Sequence, residues 1–301
     1  MGRFLWVFLL ALSVAFSQTV INAHKGAVRD LDLAGKFFVS CGDDGRVRVW
    51  NLKGKKILDI KSHRGQVLSV AISRRGYVAS SGDDMKIRVW RLPLGKLVAV
   101  LTGHEEYVRA LAFSRYGRKL ASGDDLWEIK VWDAQSWKLL RTLEGHQGWI
   151  FSIDFSPAED LIATASKDTT IRLWYPDGSS VVLKGHKDYV YDLSFSPDGS
   201  YLVSVGNDGY LIFWDVYKAQ EIARIKAHEG AVYTVDYSPD GRYVATGGFD
   251  TKVKVWDVES LRLLKVFRGH KGSVTRLRFT PDGKKIVSGD DRGRIIIWNL
   301  R

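Results

Sequence analysis

Seven histidines, His24, His63, His104, His146, His186, His228 and His270, are each followed 26 to 28 residues later by a tryptophan: Trp50, Trp90, Trp132, Trp174, Trp214, Trp256 and Trp298. They are all the histidines the chain has. Successive tryptophans stand 40 to 42 residues apart, so one supersecondary unit is stacked against copies of itself. A 301-residue chain could hold two ordinary domains, but a repeat without any linker predicts a single one, over 18–301.

Each unit reads as strands. In the one containing His146, the run from Trp149 to Phe155 is followed by a Ser-Pro turn at Ser156. Then come LIATAS, KDTT, IRLW, YPDGSS and VVLKGH, four short strands with a turn every 8 to 12 residues. Before every repeat tryptophan the residues at minus one and minus three are apolar, from Val49/Val47 to Ile297/Ile295, which is the period of two of a strand. The first strand breaks this rhythm: apolar residues stand four, seven and nine places after each histidine, as in Ile150, Ile153 and Phe155. One extra residue between the fourth and seventh places restores alternation. A β-bulge is therefore expected there in every unit, aiming nearby side chains at a rim.

Gly-His at Gly103-His104, Gly145-His146, Gly185-His186 and Gly269-His270 and Trp-Asp at Trp132-Asp133, Trp214-Asp215 and Trp256-Asp257 make the chain resemble the WD40-repeat family across residues 18 to 301. The resemblance implies an all-β, seven-bladed β-propeller of four-stranded antiparallel blades around a channel. The chain ends at the third strand of its last unit, while residues 18–22 offer a spare strand before the first histidine; pairing Gln18–Asn22 with Ile295–Trp298 would close the ring and remove two edges.

Similar proteins hold each blade with an Asp–His–Ser/Thr–Trp network. A hydroxyl stands ten before each repeat tryptophan: Ser40, Ser80, Ser122, Thr164, Ser204, Thr246 and Ser288. Aspartate stands six before it in five units, as Asp44, Asp84, Asp168, Asp208 and Asp250. In the third and seventh units that place holds Leu126 and Arg292, with Asp125 and Asp291 one residue earlier, which leaves those two networks open.

Residues 1–17 differ from the rest. Arg3 precedes an apolar stretch, Phe4 to Phe16, and Ala15 and Ser17 are small enough for a signal peptidase. A helix of thirteen residues spans about 20 Å against roughly 30 Å of hydrocarbon, so a cleaved signal peptide is expected and no membrane span after its removal. The mature protein would start at Gln18, exported to the periplasm or outside the cell. Cys41, the only cysteine, stands where other units have Ser81, Gly123, Ala165, Val205, Gly247 and Gly289, and reads as a small buried residue. The net charge is +11, but basic residues two before the tryptophan (Arg48, Arg88, Lys130, Arg172, Lys254) spread it around the ring, reading as solvated strands rather than a nucleic-acid stripe.

A Ser, a His and an Asp in every unit resemble a hydrolase triad, but an active site needs one special set and a scaffold produces seven alike. No catalysis, metal or cofactor is expected. Specificity should lie in what varies: three and five places after each histidine, large aromatics gather in units three to six. With neighbours in adjacent turns, the expected partner-binding residues are Tyr107, Arg109, Trp127, Trp149, Phe151, Lys167, Tyr189, Tyr191, Tyr233 and Phe249. The expected function is an exported, monomeric scaffold for a protein or peptide; an anionic glycan or envelope polymer is the alternative. A third reading is a propeller enzyme using carboxylates such as Asp43, Asp83 and Asp124.

Overall fold

The structure, a computed structural model, describes residues 18–157 and 161–300, so the proposed signal segment 1–17 lies outside the described residues. Short β-branched and aromatic runs separated by Gly, Pro and Asp turns become strands, and among the described residues 28 strands form seven four-stranded antiparallel sheets. The seven sheets are the blades of a β-propeller. In the fourth blade the strands, from the axis outward, are Ile150–Phe155, Ile162–Ser166, Thr170–Trp174 and Ser180–Lys184.

The expected bulge is present in all seven innermost strands: pairing slips between Val28 and Asp30, and likewise beside Val67, Val108, Ile150, Val190, Val232 and Val274. The residue skipped each time is the one five places after the histidine. A second set of slips has no counterpart in the sequence pattern. In five blades the outermost strand skips one residue next to the tryptophan's neighbour, leaving Ile57, Val98, Leu140, Ile222 and Leu264 unpaired and exposed. Outer strands are edges, and a bulge twists an edge away from further pairing.

Blades stack through their sheet faces. Trp214 of blade 5 packs with Ile171 and Leu173 of blade 4, and Trp50 of blade 1 with Val287 and Ile295 of blade 7. The small residues equivalent to Cys41 have a steric reason. A Cβ on Gly123 would sit 2.5 Å from Cγ2 of Ile150 in the next blade, and one on Gly289 2.6 Å from Cγ1 of Val28. Cys41 itself is fully buried, and burial pushes its thiol well up.

Closure occurs as expected: Thr19, Val20, Ile21 and Asn22 pair with Ile297, Ile296, Ile295 and Arg294. Ile21 packs on the cluster shared by blades 7 and 1 while Val20 faces solvent. Ile21→Asp should therefore cost about 2–3 kcal/mol, lowering the thermal midpoint by roughly 5–10 °C, whereas Val20→Asp should leave it nearly unchanged; melting followed by near-ultraviolet dichroism checks both.

Candidate functional site

Every histidine is occupied by its blade. In blade 4 His146 Nε2 lies 2.7 Å from Thr164 Oγ1 and Nδ1 2.7 Å from Asp168, while Trp174 Nε1 donates to the same hydroxyl at 2.8 Å. An indole N–H can only donate, so the hydroxyl accepts from tryptophan and gives its own proton to Nε2; Nδ1 then carries the ring proton and donates to aspartate. Desolvation lowers the affinity of His24, His63, His146 and His228 for a second proton, against the opposing pull of their aspartates.

The third and seventh blades complete the same network with different residues. His104 pairs with Asp124 at 2.6 Å and His270 with Asp290 at 2.8 Å, so the carboxylates come from eight, not six, places before the tryptophan. Asp125 and Asp291 are not the substitutes. Asp125 instead takes a two-pronged ion pair from Arg109 at 2.5 and 2.7 Å, as Asp43 holds Arg29 at 2.5 Å. The carboxylates considered for chemistry are thus engaged: Asp43 with Arg29, Asp83 with the Gln66 backbone N–H at 3.1 Å, Asp124 in its network.

The basic residues before the tryptophans also need correcting. Four of the five have their charged ends engaged and largely covered: Arg48 and Arg88 donate to Asp44 and Asp84 at 2.8 and 2.7 Å, Lys130 to Glu128 at 2.6 Å, and Lys254 to the Ala227 carbonyl at 2.6 Å, while Arg172 reaches only the Ser180 hydroxyl at 3.2 Å. The engaged ones are second partners for the network carboxylates and neighbouring loops, which draws them in from water.

The bore itself is bridged by charge. Arg276 of blade 7 binds Asp30 of blade 1 at 2.7 Å and Asp192 of blade 5 at 3.0 Å, and Arg278 lies 3.7 Å from Asp192. The innermost strands would otherwise present bare N–H groups to the bore, and side chains of the preceding blade cap them. Asp30 accepts from Val70 N–H at 3.0 Å, Asp32 from Ile72 at 2.8 Å, Asp154 from Phe195 at 2.9 Å, Asp192 from Val235 at 3.0 Å and Asp236 from Phe279 at 2.7 Å. Burial would raise the Asp192 carboxyl, yet Arg276 and Arg278 hold it below its usual range. Asp154 and Asp236 lack such close guanidinium contact, and burial pushes them up to about 6 and about 7.

These shifts have opposite consequences for stability. A carboxyl raised on folding favours the folded state while protonated, and that advantage is lost as pH rises from its unfolded value near 4 through about 7. Imidazoles lowered on folding act the other way, costing stability as pH falls below 6.5. Asp236→Asn, which keeps an acceptor for Phe279, should exceed the parent in stability at pH 8 by a few kcal/mol and lose that advantage near pH 4, since each tenfold change in proton affinity on folding is worth about 1.4 kcal/mol. Urea unfolding at the two pH values measures it.

At one mouth of the bore the seven bulged residues converge. Arg29, Leu68, Arg109, Phe151, Tyr191, Tyr233 and Thr275 frame a depression of about 350 Å³, together with Ser273, Arg276 and Asp291. An unbroken aromatic arc crosses blades 4 to 6: Trp149–Phe151 at 6.2 Å between centroids, Phe151–Tyr191 at 5.2 Å, Tyr191–Tyr233 at 5.2 Å, with Tyr189 6.4 Å from both Phe151 and Tyr191. Arg109 lies over the Trp149 ring at 4.7 Å and the Lys167 ammonium at 3.9 Å. Desolvation and the neighbouring Tyr233, Asp188 and Tyr189 push the Tyr191 hydroxyl up to about 12.

Seven of the ten residues expected from sequence thus form one arc. Tyr107, Trp127 and Phe249 are exposed, but among the described residues no ring contact joins them to it. Trp127 sits in the tight turn after Asp124 with φ of 71°. Arg276 and Asp291 escaped sequence reasoning because their roles depend on what lies across the bore; Arg29, Leu68 and Thr275 were visible as members of the same series.

Comparison with known proteins agrees with this architecture. The family model described as "WD domain, G-beta repeat" matches residues 15–51, 54–91, 95–133, 137–175, 178–215, 219–257 and 261–299. The chain is 29% identical over 125 residues to nuclear distribution protein nudF 2 of Penicillium rubens, covering 34% of this chain and 27% of that protein. It is 41% identical over 54 residues to Topless-related protein 2 of Arabidopsis thaliana, covering 17% of this chain and 5% of that protein. These matches therefore span about a quarter or less of the relatives' own lengths. Seven matched repeats, one for each blade, are decisive: the chain belongs to the WD40-repeat family.

Proposed function

We propose that this WD40 propeller is an exported scaffold without catalysis of its own, which seats an extended segment of a protein partner across the mouth framed by Trp149, Phe151, Tyr189, Tyr191 and Tyr233. WD40 propellers generally serve protein interaction. The observation that carries the reading here is the arc: five half-buried aromatic rings in a chain of contacts on adjacent blades, three of them (Phe151, Tyr191 and Tyr233) at the blades' bulges, with Arg109, oriented by Asp125, against Trp149. Rings held in this way lose little conformational freedom on binding, which is what interface anchors need.

Export rests on the apolar stretch before Ser17. Cleavage there leaves Gln18 one residue ahead of the closing strand Thr19–Asn22, so the ring would close with its own new N-terminus. Affinity capture with the mature protein from an envelope extract tests the function, with rim variants as controls. A partner released by modest salt would instead indicate the anionic-polymer alternative, because exposed charge contacts are screened and aromatic packing is not.

A further inference from the structure

The turns at the far end of the bore are not equivalent. Blades 5, 6 and 7 turn through Ser196-Pro-Asp198-Gly, Ser238-Pro-Asp240-Gly and Thr280-Pro-Asp282-Gly, with each aspartate accepting from the leading hydroxyl at 2.6 Å. Blades 2 and 3 write the same turns as Ser73-Arg74-Arg75-Gly76 and Ser114-Arg115-Tyr116-Gly117, and blade 1 as Gly35-Lys36. In blades 6 and 7 the cations Arg242 and Lys284 stand beside these carboxylates and offset them, whereas the corresponding turns of blades 1 to 3 carry cations without a carboxylate.

The cations adjoin one another. Lys36 and Arg74 line one groove of about 610 Å³ between blades 1 and 2. Arg91 donates to the Arg75 carbonyl at 2.5 Å and lies over the Tyr77 ring, and a Cβ on Gly117 would come 3.3 Å from Arg75 Cγ, so blade 3's turn rests on that side chain. All of these basic residues are exposed, and among the described residues Lys36, Arg74, Arg75 and Arg115 form no ion pair. On blades 2 and 3 two apolar tips project from this face: Leu94, 85% exposed at the blade 2 turn, and Tyr116, 67% exposed between Arg115 and Gly117.

We propose that blades 1 to 3 dock through this face onto an anionic lipid bilayer, with Lys36, Arg74, Arg75 and Arg115 meeting headgroup phosphates while Leu94 and Tyr116 enter the interfacial layer. Basic side chains gather at a negative leaflet, and apolar and aromatic tips add affinity only if there is an apolar phase to enter. A nucleic acid or soluble polyanion would use the cations but leave Leu94 in water. No helix among the described residues is long and apolar enough to cross a membrane, so the attachment is peripheral. The aromatic mouth, at the other end of the bore, stays open to its partner.

Co-sedimentation of the mature protein with vesicles of phosphatidylcholine, alone or mixed with phosphatidylglycerol, tests the proposal. The protein should pellet with the anionic vesicles only. Arg74→Ala with Arg75→Ala should weaken partitioning about 25-fold, roughly fivefold for each basic side chain, and Leu94→Ser with Tyr116→Ser about tenfold or more. Heparin retention should fall in the first double variant and stay unchanged in the second. Equal binding to both vesicle types, binding to neither, or vesicle binding indifferent to Leu94 and Tyr116 would overturn it, the last pointing to a soluble polyanion. Unchanged melting of both variants shows that the fold is intact, and rim variants should bind vesicles normally, so this proposal and the partner reading fail separately.

Discussion

Asp192→Ala should destabilise the propeller by about 3–5 kcal/mol and lower its thermal midpoint by roughly 10 °C or more. The carboxylate is wholly buried and meets three other blades: it accepts from Ser152 Oγ of blade 4 at 2.7 Å, from Thr234 Oγ1 and the Val235 N–H of blade 6 at 3.0 Å each, and from Arg276 of blade 7 at 3.0 Å. Removing it leaves those donors without their acceptor and Arg276 with Asp30 alone among its close partners. The cost is that of uncompensated buried charge and not of one hydrogen bond. Asp192→Asn, which keeps the shape and loses the charge, should fall in between. Differential scanning calorimetry at pH 7 decides, and an Asp192→Ala midpoint within about 2 °C of the parent would mean the bore is held by packing alone.

Trp149→Ala combined with Tyr191→Ala should reduce capture of the partner by a factor of a hundred or more, at about 2 kcal/mol for each anchor lost, while leaving the melting temperature close to the parent's. Trp149 lies between two cations, Arg109 at 4.7 Å and Lys167 at 3.9 Å, and Tyr191 lies between Phe151 and Tyr233 at 5.2 Å from each. Both rings are only partly covered, so little core is disturbed. Isothermal titration with the captured partner gives the affinity. Retention within about threefold of the parent would show that the arc closes the bore and is not a contact surface, since an anchor costs far more than that.

Much of this was legible along the chain because it is written in periodicity. The His-to-Trp spacing, the hydroxyl ten before each tryptophan and the odd step after each histidine are local patterns repeated seven times, and repetition turns a weak signal into a firm one. The bulges followed from counting, and the closing strand from counting within the ring that the WD40 resemblance implied. The networks of blades 3 and 7 were not legible: a carboxylate moved by two residues can reach the same imidazole when its turn changes shape, as Asp124 and Asp290 do. The basic residues before the tryptophans were misread for a related reason. A strand pattern tells which face a side chain leaves from, but not whether a carboxylate waits at its end, as Asp44 does for Arg48.

By itself the sequence determined the unit, the number of units and the bulge, since each depends on residues close in the chain, and with the ring implied by the WD40 resemblance it left residues 18–22 as the strand that closes it. Only the tertiary structure decided which charges meet across the bore, why Asp236 is pushed up to about 7 while Asp192 is held low, and that Phe151, Tyr191 and Tyr233 touch. Those facts arise between residues about 40 to 250 positions apart, where distance and desolvation are set by how the blades stand around the axis.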